Sequence, residues 1–202
     1  MSLLPYSTHD IKPVSEFPKH ITYEQYLDLL EKTAEHYNSK KYTETREFRR
    51  DRDILFLKLL WESGGRVTDV LNIKVADIDF KYKELTLWIE KRDKYHTISL
   101  FEPLLTEIRF FIEKYKIKKF IFGRTRQWGW WKVRQLGKLI GIKLNPHQFR
   151  HGLALYLLQK GVDIRVIAFR LDHASPLTTI KSYLIVTPEI ERIILTSKDV
   201  FP

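Results

Sequence analysis

The chain contains no cysteine in its 202 residues. That excludes a disulfide framework and any zinc site built on thiolates. Seven histidines without a thiolate partner make a poor metal-ligand set, so no metal is expected. No apolar run approaches the roughly 18 residues that a membrane-spanning helix needs, and the N-terminus lacks a signal-peptide pattern; a cytosolic compartment is the expectation. Acidic residues are also in deficit, 25 Asp+Glu against 35 Lys+Arg, for a formal net charge of +10. Such a surface gains from counterion release on a polyanion, which points to DNA or RNA as partner. An ordinary soluble basic protein shares this composition. There is no internal repeat and no low-complexity stretch, and 44% hydrophobic residues suffice for a proper core.

Periodicity predicts a mainly helical α+β domain with a small antiparallel sheet. Pro5, Pro13 and Pro18 make residues 1–20 an arm or linker, and residues 21–202 form the domain. Thr22-Tyr23-Glu24-Gln25 fits a capping box for a helix running to about Tyr37. A second, apolar-rich helix is expected from Arg46 to Ser63, stopped by Gly64-Gly65, with a short helix around Thr68–Asn72. Leu85, Leu87 and Ile89 alternate with polar partners, so Glu84–Glu90 reads as a strand. Lys91–Lys94 is then a turn and Tyr95–Leu100 the returning strand. Further helices are expected at 102–115, 129–140, 147–160, 163–171, 176–184 and 188–196. Asn145-Pro146, Ser175-Pro176 and Thr187-Pro188 each place a capping residue before a helix-starting proline.

The most informative run is His147-Gln148-Phe149-Arg150-His151. An imidazole and a guanidinium three residues apart on a helix project from one face. Together they can grip a phosphate, the Arg through paired charge-assisted bonds and the His as donor or proton carrier. A nearby phenol such as Tyr183 can attack that phosphorus and hold it covalently. Arg66 follows two glycines, where backbone can approach another group closely, and Asp69 one turn later can orient its guanidinium. Lys91 and Lys94 sit at a hairpin tip, able to bring an ammonium to a leaving oxygen. Each has an ordinary reading: a cap with a surface ion pair for Arg66, exposed turn lysines, a core histidine for His173, a packed ring for Tyr183. Arg124, Arg126, Lys132 and Arg134 interleave with Trp128, Trp130 and Trp131, either as a DNA-contacting surface or as a helix that buries its tryptophans.

Taken in order, these boxes resemble the tyrosine recombinases, the phage-integrase family, from about Ile21 to Ile194. Ser63-Gly64-Gly65-Arg66-Val67-Thr68-Asp69-Val70-Leu71 is similar to the family's Thr-Gly-x-Arg-x-x-Glu-Leu box. Lys91 to Leu100 resembles its Lys-x-x-Lys-x-Arg-x-x-Pro-Leu hairpin. His147 to His151 is similar to its His-x-Leu-Arg-His box, and Leu171-Asp172-His173 to Leu-Gly-His, with Thr178-Thr179 leading to Tyr183. The resemblance implies a tyrosine-recombinase catalytic domain that cleaves and rejoins double-stranded DNA without metal or ATP, self-associating on its sites. Arg66 and Arg150 would clamp the scissile phosphate and His147 and His173 would add donors. Lys91 would act as general acid with Lys94 beside it, and Tyr183 would be the nucleophile. Arg124, Arg126, Lys132, Arg134 and Lys94 are expected on DNA. The pattern departs at Asp172, which replaces a glycine and is expected to raise the proton affinity of His173. It also departs at Tyr183, ten residues past His173 instead of nine, and in having only residues 1–20 ahead of the catalytic-type region. A type IB topoisomerase-like nicking-closing enzyme and a DNA-binding regulator that keeps the fold remain alternative readings.

Overall fold

The structure is a computed structural model that describes residues 19–173. Helix α1 spans Tyr23–Asn38 and starts at the expected capping box: Thr22 Oγ1 accepts from Gln25 N–H (3.2 Å), and Gln25 Oε1 accepts from Thr22 N–H (3.0 Å). Helix α2 spans Glu44–Ser63. It begins two residues before the predicted start because Thr43 caps it, accepting from Arg46 N–H at 3.2 Å. Phe56, Leu57, Leu59 and Leu60 are wholly buried along it. A helix apolar over so much of its circumference belongs at the centre of the core, and α2 packs on α1, on α3 (Val67–Leu71), on α4 (Leu104–Lys114) and on α6 (Pro146–Gln159). Each such side chain contributes about 1.5–3 kcal/mol of burial free energy.

Three antiparallel strands, β1 (Ile78–Asp79), β2 (Glu84–Ile89) and β3 (Lys94–Ser99), lie in sequential order. Leu85 pairs with Ile98 and Leu87 with His96, so the alternate residues of both strands face the core. The turn is tighter than the sequence suggests. A 3-10 turn at Glu90–Arg92, closed by Asp93 at φ +48°, brings Lys94 into the ladder opposite Ile89. Helix α5 (Arg126–Gly137) also starts earlier than predicted, because Thr125 accepts from Trp128 N–H at 3.3 Å. Helix α7 (Ile164–Arg170) follows, capped by Asp163. The helices expected at 176–184 and 188–196, with their caps at Ser175 and Thr187, lie outside the described residues. Among the described residues, no helix is long and apolar enough to cross a membrane.

Gly129 fixes the distance between α5 and α3. A Cβ there would stand 2.5 Å from Val67 Cγ2 and 2.9 Å from Leu71 Cδ1. Gly129→Ala is therefore expected to destabilise the fold by about 1–3 kcal/mol through overpacking, despite the better helix propensity of Ala. A urea midpoint at or above that of the parent protein would show that α5 can shift at no cost.

Candidate active site

Four segments distant in sequence supply the site. Asn145 caps α6, its Oδ1 accepting from His147 N–H (3.0 Å), while Gln148 Oε1 accepts from Asn145 N–H (2.7 Å). This sets His147 in the first turn of α6 and Arg150 on the same face. Arg150 is 8% exposed. Its Nη1 donates to the Gly64 carbonyl at 2.7 Å and its Nη2 to the Leu171 carbonyl. Gly64 and Leu171 are the C-caps of α2 and α7, so one guanidinium sits at the carbonyl ends of two helices, where a cation is favoured. Gly64 must be glycine: its φ is +61°, and a Cβ would lie 2.6 Å from Leu171 Cδ2.

Arg66 is the residue before the first turn of α3. Its backbone N–H donates to Asp69 Oδ2 at 3.1 Å, and its guanidinium Nη1 stands 3.6 Å from the same oxygen, so Asp69 sits where the sequence predicts it to be. That Nη1 is buried and has no hydrogen-bond acceptor among the described residues. A buried donor short of a hydrogen bond is rare and costly, even with the Asp69 carboxylate 3.6 Å away.

The imidazoles register both arginines. Burial, then the charges of Arg150, Arg66 and Arg126, hold His147 below its ordinary range. Burial and the same two arginines, Arg150 and Arg66, lower His173 to about 4. Burial, His147, Arg150 and His20 lower His151 to about 4. Near pH 7 these rings are neutral, each with one nitrogen to donate and one to accept. At His173 the expected pull of Asp172 is present but is not the largest influence. Asp172 does pull its proton affinity upward, but burial and the arginines outweigh it, and the carboxylate is already engaged elsewhere.

Lowered histidine values have a consequence for stability. Between about pH 6.5 and 4 the unfolded chain takes up protons that folded His151 and His173 refuse. Stability is thus fully present above the unfolded value and is lost as pH falls toward 4. Urea midpoints should drop steadily over that window; a flat profile would mean that these imidazoles protonate without cost in the fold.

The hairpin brings the basic tip alongside. Lys91 is exposed at its turn. Arg92 and Lys94 instead turn onto Asp172: Arg92 Nη1 donates to both Oδ1 and the backbone carbonyl of Asp172 at 2.9 Å, and Lys94 Nζ lies 2.7 Å from Oδ1. Lys94, expected on DNA, is engaged in that ion pair. Lys132, also expected on DNA, is a clearer correction. It is 6% exposed and lies 2.8 Å from the wholly buried Asp53, because its place on α5 points toward α2. Arg124, Arg126 and Arg134 are exposed. Of the tryptophans, Trp131 is 57% exposed, while Trp130 meets His147 edge-on at 5.8 Å. Tyr183 lies outside the described residues. Sequence reasoning missed Arg92, whose only signal was an unusual carboxylate at position 172 for it to meet.

The sequence profile of the phage integrase family matches residues 19–189. The chain belongs to this family. Over 138 residues it is 36% identical to tyrosine recombinase XerA of Pyrococcus furiosus, which covers 63% of this chain and 48% of that protein. Over 188 residues it is 30% identical to a probable integrase/recombinase of Acholeplasma phage L2, covering 88% of this chain and 60% of that one. The chain spans about half the length of the XerA relatives it matches. Among solved structures, XerA recombinase superposes with a TM-score of 0.67 at 24% identity, over 91% of this chain and 66% of that one. The Tn1549 transposon integrase in complex with transposon right end DNA gives 0.71 at 15% identity, over 96% and 71%. At these identities the superpositions speak for the fold alone. That fold is the tyrosine-recombinase catalytic-domain type, a helical bundle with a small antiparallel sheet.

Proposed function

We propose that this phage-integrase family chain is the catalytic part of a site-specific recombinase, which cleaves and rejoins double-stranded DNA through a 3′-phosphotyrosyl intermediate. The observation that carries the reading is the convergence of two arginines, 84 residues apart in sequence: Arg150 donates to the carbonyl of Gly64, two residues before Arg66, at 2.7 Å. Residues 21–202 would form the catalytic domain, with residues 1–20 as an arm.

In this reading the scissile phosphate binds against Arg66 and Arg150, and the acceptor-less Nη1 of Arg66 donates to a non-bridging oxygen. His147 and His173 donate to the same group. Preformed donors aimed at developing charge lower the barrier most where water is excluded. The Tyr183 hydroxyl passes its proton to His147, its oxygen attacks phosphorus, and the phosphorus–O5′ bond breaks. Lys91 protonates the departing oxygen. The products are a 3′-phosphotyrosyl ester and a 5′-hydroxyl, so the energy of the broken diester is kept and neither metal nor ATP is required. A 5′-hydroxyl from a second strand reverses the step, and exchange between two sites calls for several protomers on DNA. Arg126 and Arg134, which flank Trp130 on one face of α5, would track the backbone.

The test is covalent trapping. The parent chain and Tyr183→Phe are incubated with a library of nicked duplexes, and a denaturation-resistant adduct is sought. An adduct on the parent alone, mapped to Tyr183, supports the proposal and reports the preferred site. DNA binding without an adduct from either chain points instead to a regulator that keeps the fold.

A further inference from the structure

A second concavity, of about 520 Å³, opens between the α1–α2 corner and α5. It is not the site of the two arginines. At about 100° per residue, Trp128, Trp131, Lys132 and Gln135 fall roughly 100–200° around α5 from Trp130, which faces His147. Six cationic side chains line this cavity: Lys40, Arg46, Arg49, Arg52, Arg124 and Lys132. No carboxylate lines it. Asp53, which bonds the lining residues Arg52, Lys132 and Tyr37, has both its oxygens taken, Oδ1 by Arg52 (2.7 Å) and Oδ2 by Lys132 (2.8 Å) and the Tyr37 hydroxyl (2.6 Å). Arg52 and Lys132 are therefore held in place, while Lys40, Arg46, Arg49 and Arg124 have no acidic partner among the described residues. Lys40, Lys132 and Arg46 together help burial hold His36 below its ordinary range.

Cations packed this closely repel one another, and an anion relieves the repulsion. The walls add a second recognition element. Arg52 lies over the Trp128 ring at 4.7 Å, and Lys132 lies over Trp131 at 5.1 Å, whose ring is exposed to the opening. Exposed aromatic rings beside a basic hollow are how proteins take up unpaired bases with their phosphates. The volume is that of a small-ligand pocket, roughly 300–1,000 Å³, and a concavity of that size does not accept the convex side of a duplex.

We propose that this cavity is a nucleotide site, in which one or more phosphates lie against Arg46, Arg49 and Arg124 while a base stacks on Trp131. The same chemistry can come from a free nucleotide or from an unpaired stretch of a nucleic-acid strand. The site does not depend on the strand-cleavage reading, and its test uses binding alone.

The full chain is titrated with ATP, inorganic triphosphate, a short single-stranded oligonucleotide and the matching duplex, at fixed salt. Arg49→Glu is compared with Lys118→Glu, which changes net charge equally on an exposed surface outside the cavity. Arg49→Glu is expected to weaken ATP or the single strand by about tenfold or more, with little effect from Lys118→Glu. Trp131→Ala should weaken the ligands that carry a base and spare triphosphate. Loss for ATP, with ATP displacing the oligonucleotide, identifies a free nucleotide as the source; loss for the single strand without ATP binding identifies a strand. Equal weakening by the two charge reversals, a loss confined to the duplex, or no binding of ATP, triphosphate or single strand would each overturn the proposal.

Discussion

Arg150→Ala is expected to lower strand cleavage by about 10²–10³-fold, the usual effect of removing one preorganised donor to a transition-state oxyanion. Non-specific DNA binding should survive, since one phosphate contact among many supplies little of the affinity. The structure adds a complication, because the same guanidinium bonds the Gly64 and Leu171 carbonyls. Its loss strands two buried acceptors, at about 1–3 kcal/mol each, and loosens the turns that carry Arg66 and His173. The variant must therefore be assayed at a temperature where its unfolding curve shows it folded. His147→Asn gives the control, since its backbone N–H, which Asn145 caps, is kept. If both variants are folded and both fail to cleave, the site is assigned. Parent-level cleavage by folded Arg150→Ala would remove Arg150 from the chemistry and leave it a structural staple.

Much of this site was readable without coordinates because its parts are local. The cap at Asn145, the His147–Arg150 spacing and the Arg66–Asp69 pair lie within one or two helical turns, and short-range rules govern them. The glycine at position 64 was also legible as a place of close approach, although its reason, the Leu171 side chain, was not. What failed were the contacts between segments. Whether Lys132 points at DNA or at Asp53 depends on which face of α5 meets α2, and charge patterning carries no such information. The same holds for the hairpin. Lys91, Arg92 and Lys94 are alike on paper, and only the arrival of residue 172, about 80 positions later, separates Arg92 and Lys94, which bond its carboxylate, from Lys91.

Residue 172 leads to a further expected result: Asp172→Asn should slow cleavage by roughly tenfold while DNA affinity stays level or rises, because a negative charge has been removed. Asp172 is 6% exposed and sits at φ +48°, a left-handed conformation uncommon outside glycine that Asp tolerates better than most. Burial pushes its carboxyl up, yet hydrogen bonds from Lys94 and Arg92 outweigh that and hold it below the ordinary carboxylate range. The charged latch is thus closed at neutral pH and opens only in acid. Its mechanical effect is to seat the hairpin against the turn that carries His173, which sets where Lys91 can reach. If that is its role, the Asp172→Asn defect lies in protonating the leaving oxygen. A substrate with a 5′-bridging sulfur, a leaving group that needs no proton, should then restore the rate of Asp172→Asn as it restores Lys91→Ala. It should do nothing for Arg150→Ala, whose loss is in binding the charge on phosphorus. Failure of the sulfur substrate to rescue Asp172→Asn, with Lys91→Ala rescued alongside, would place the effect in the turn around His173 and not in the hairpin. Rescue of Lys94→Ala in place of Lys91→Ala would make Lys94 the acid, and its ion pair with Asp172 a resting state that DNA must break.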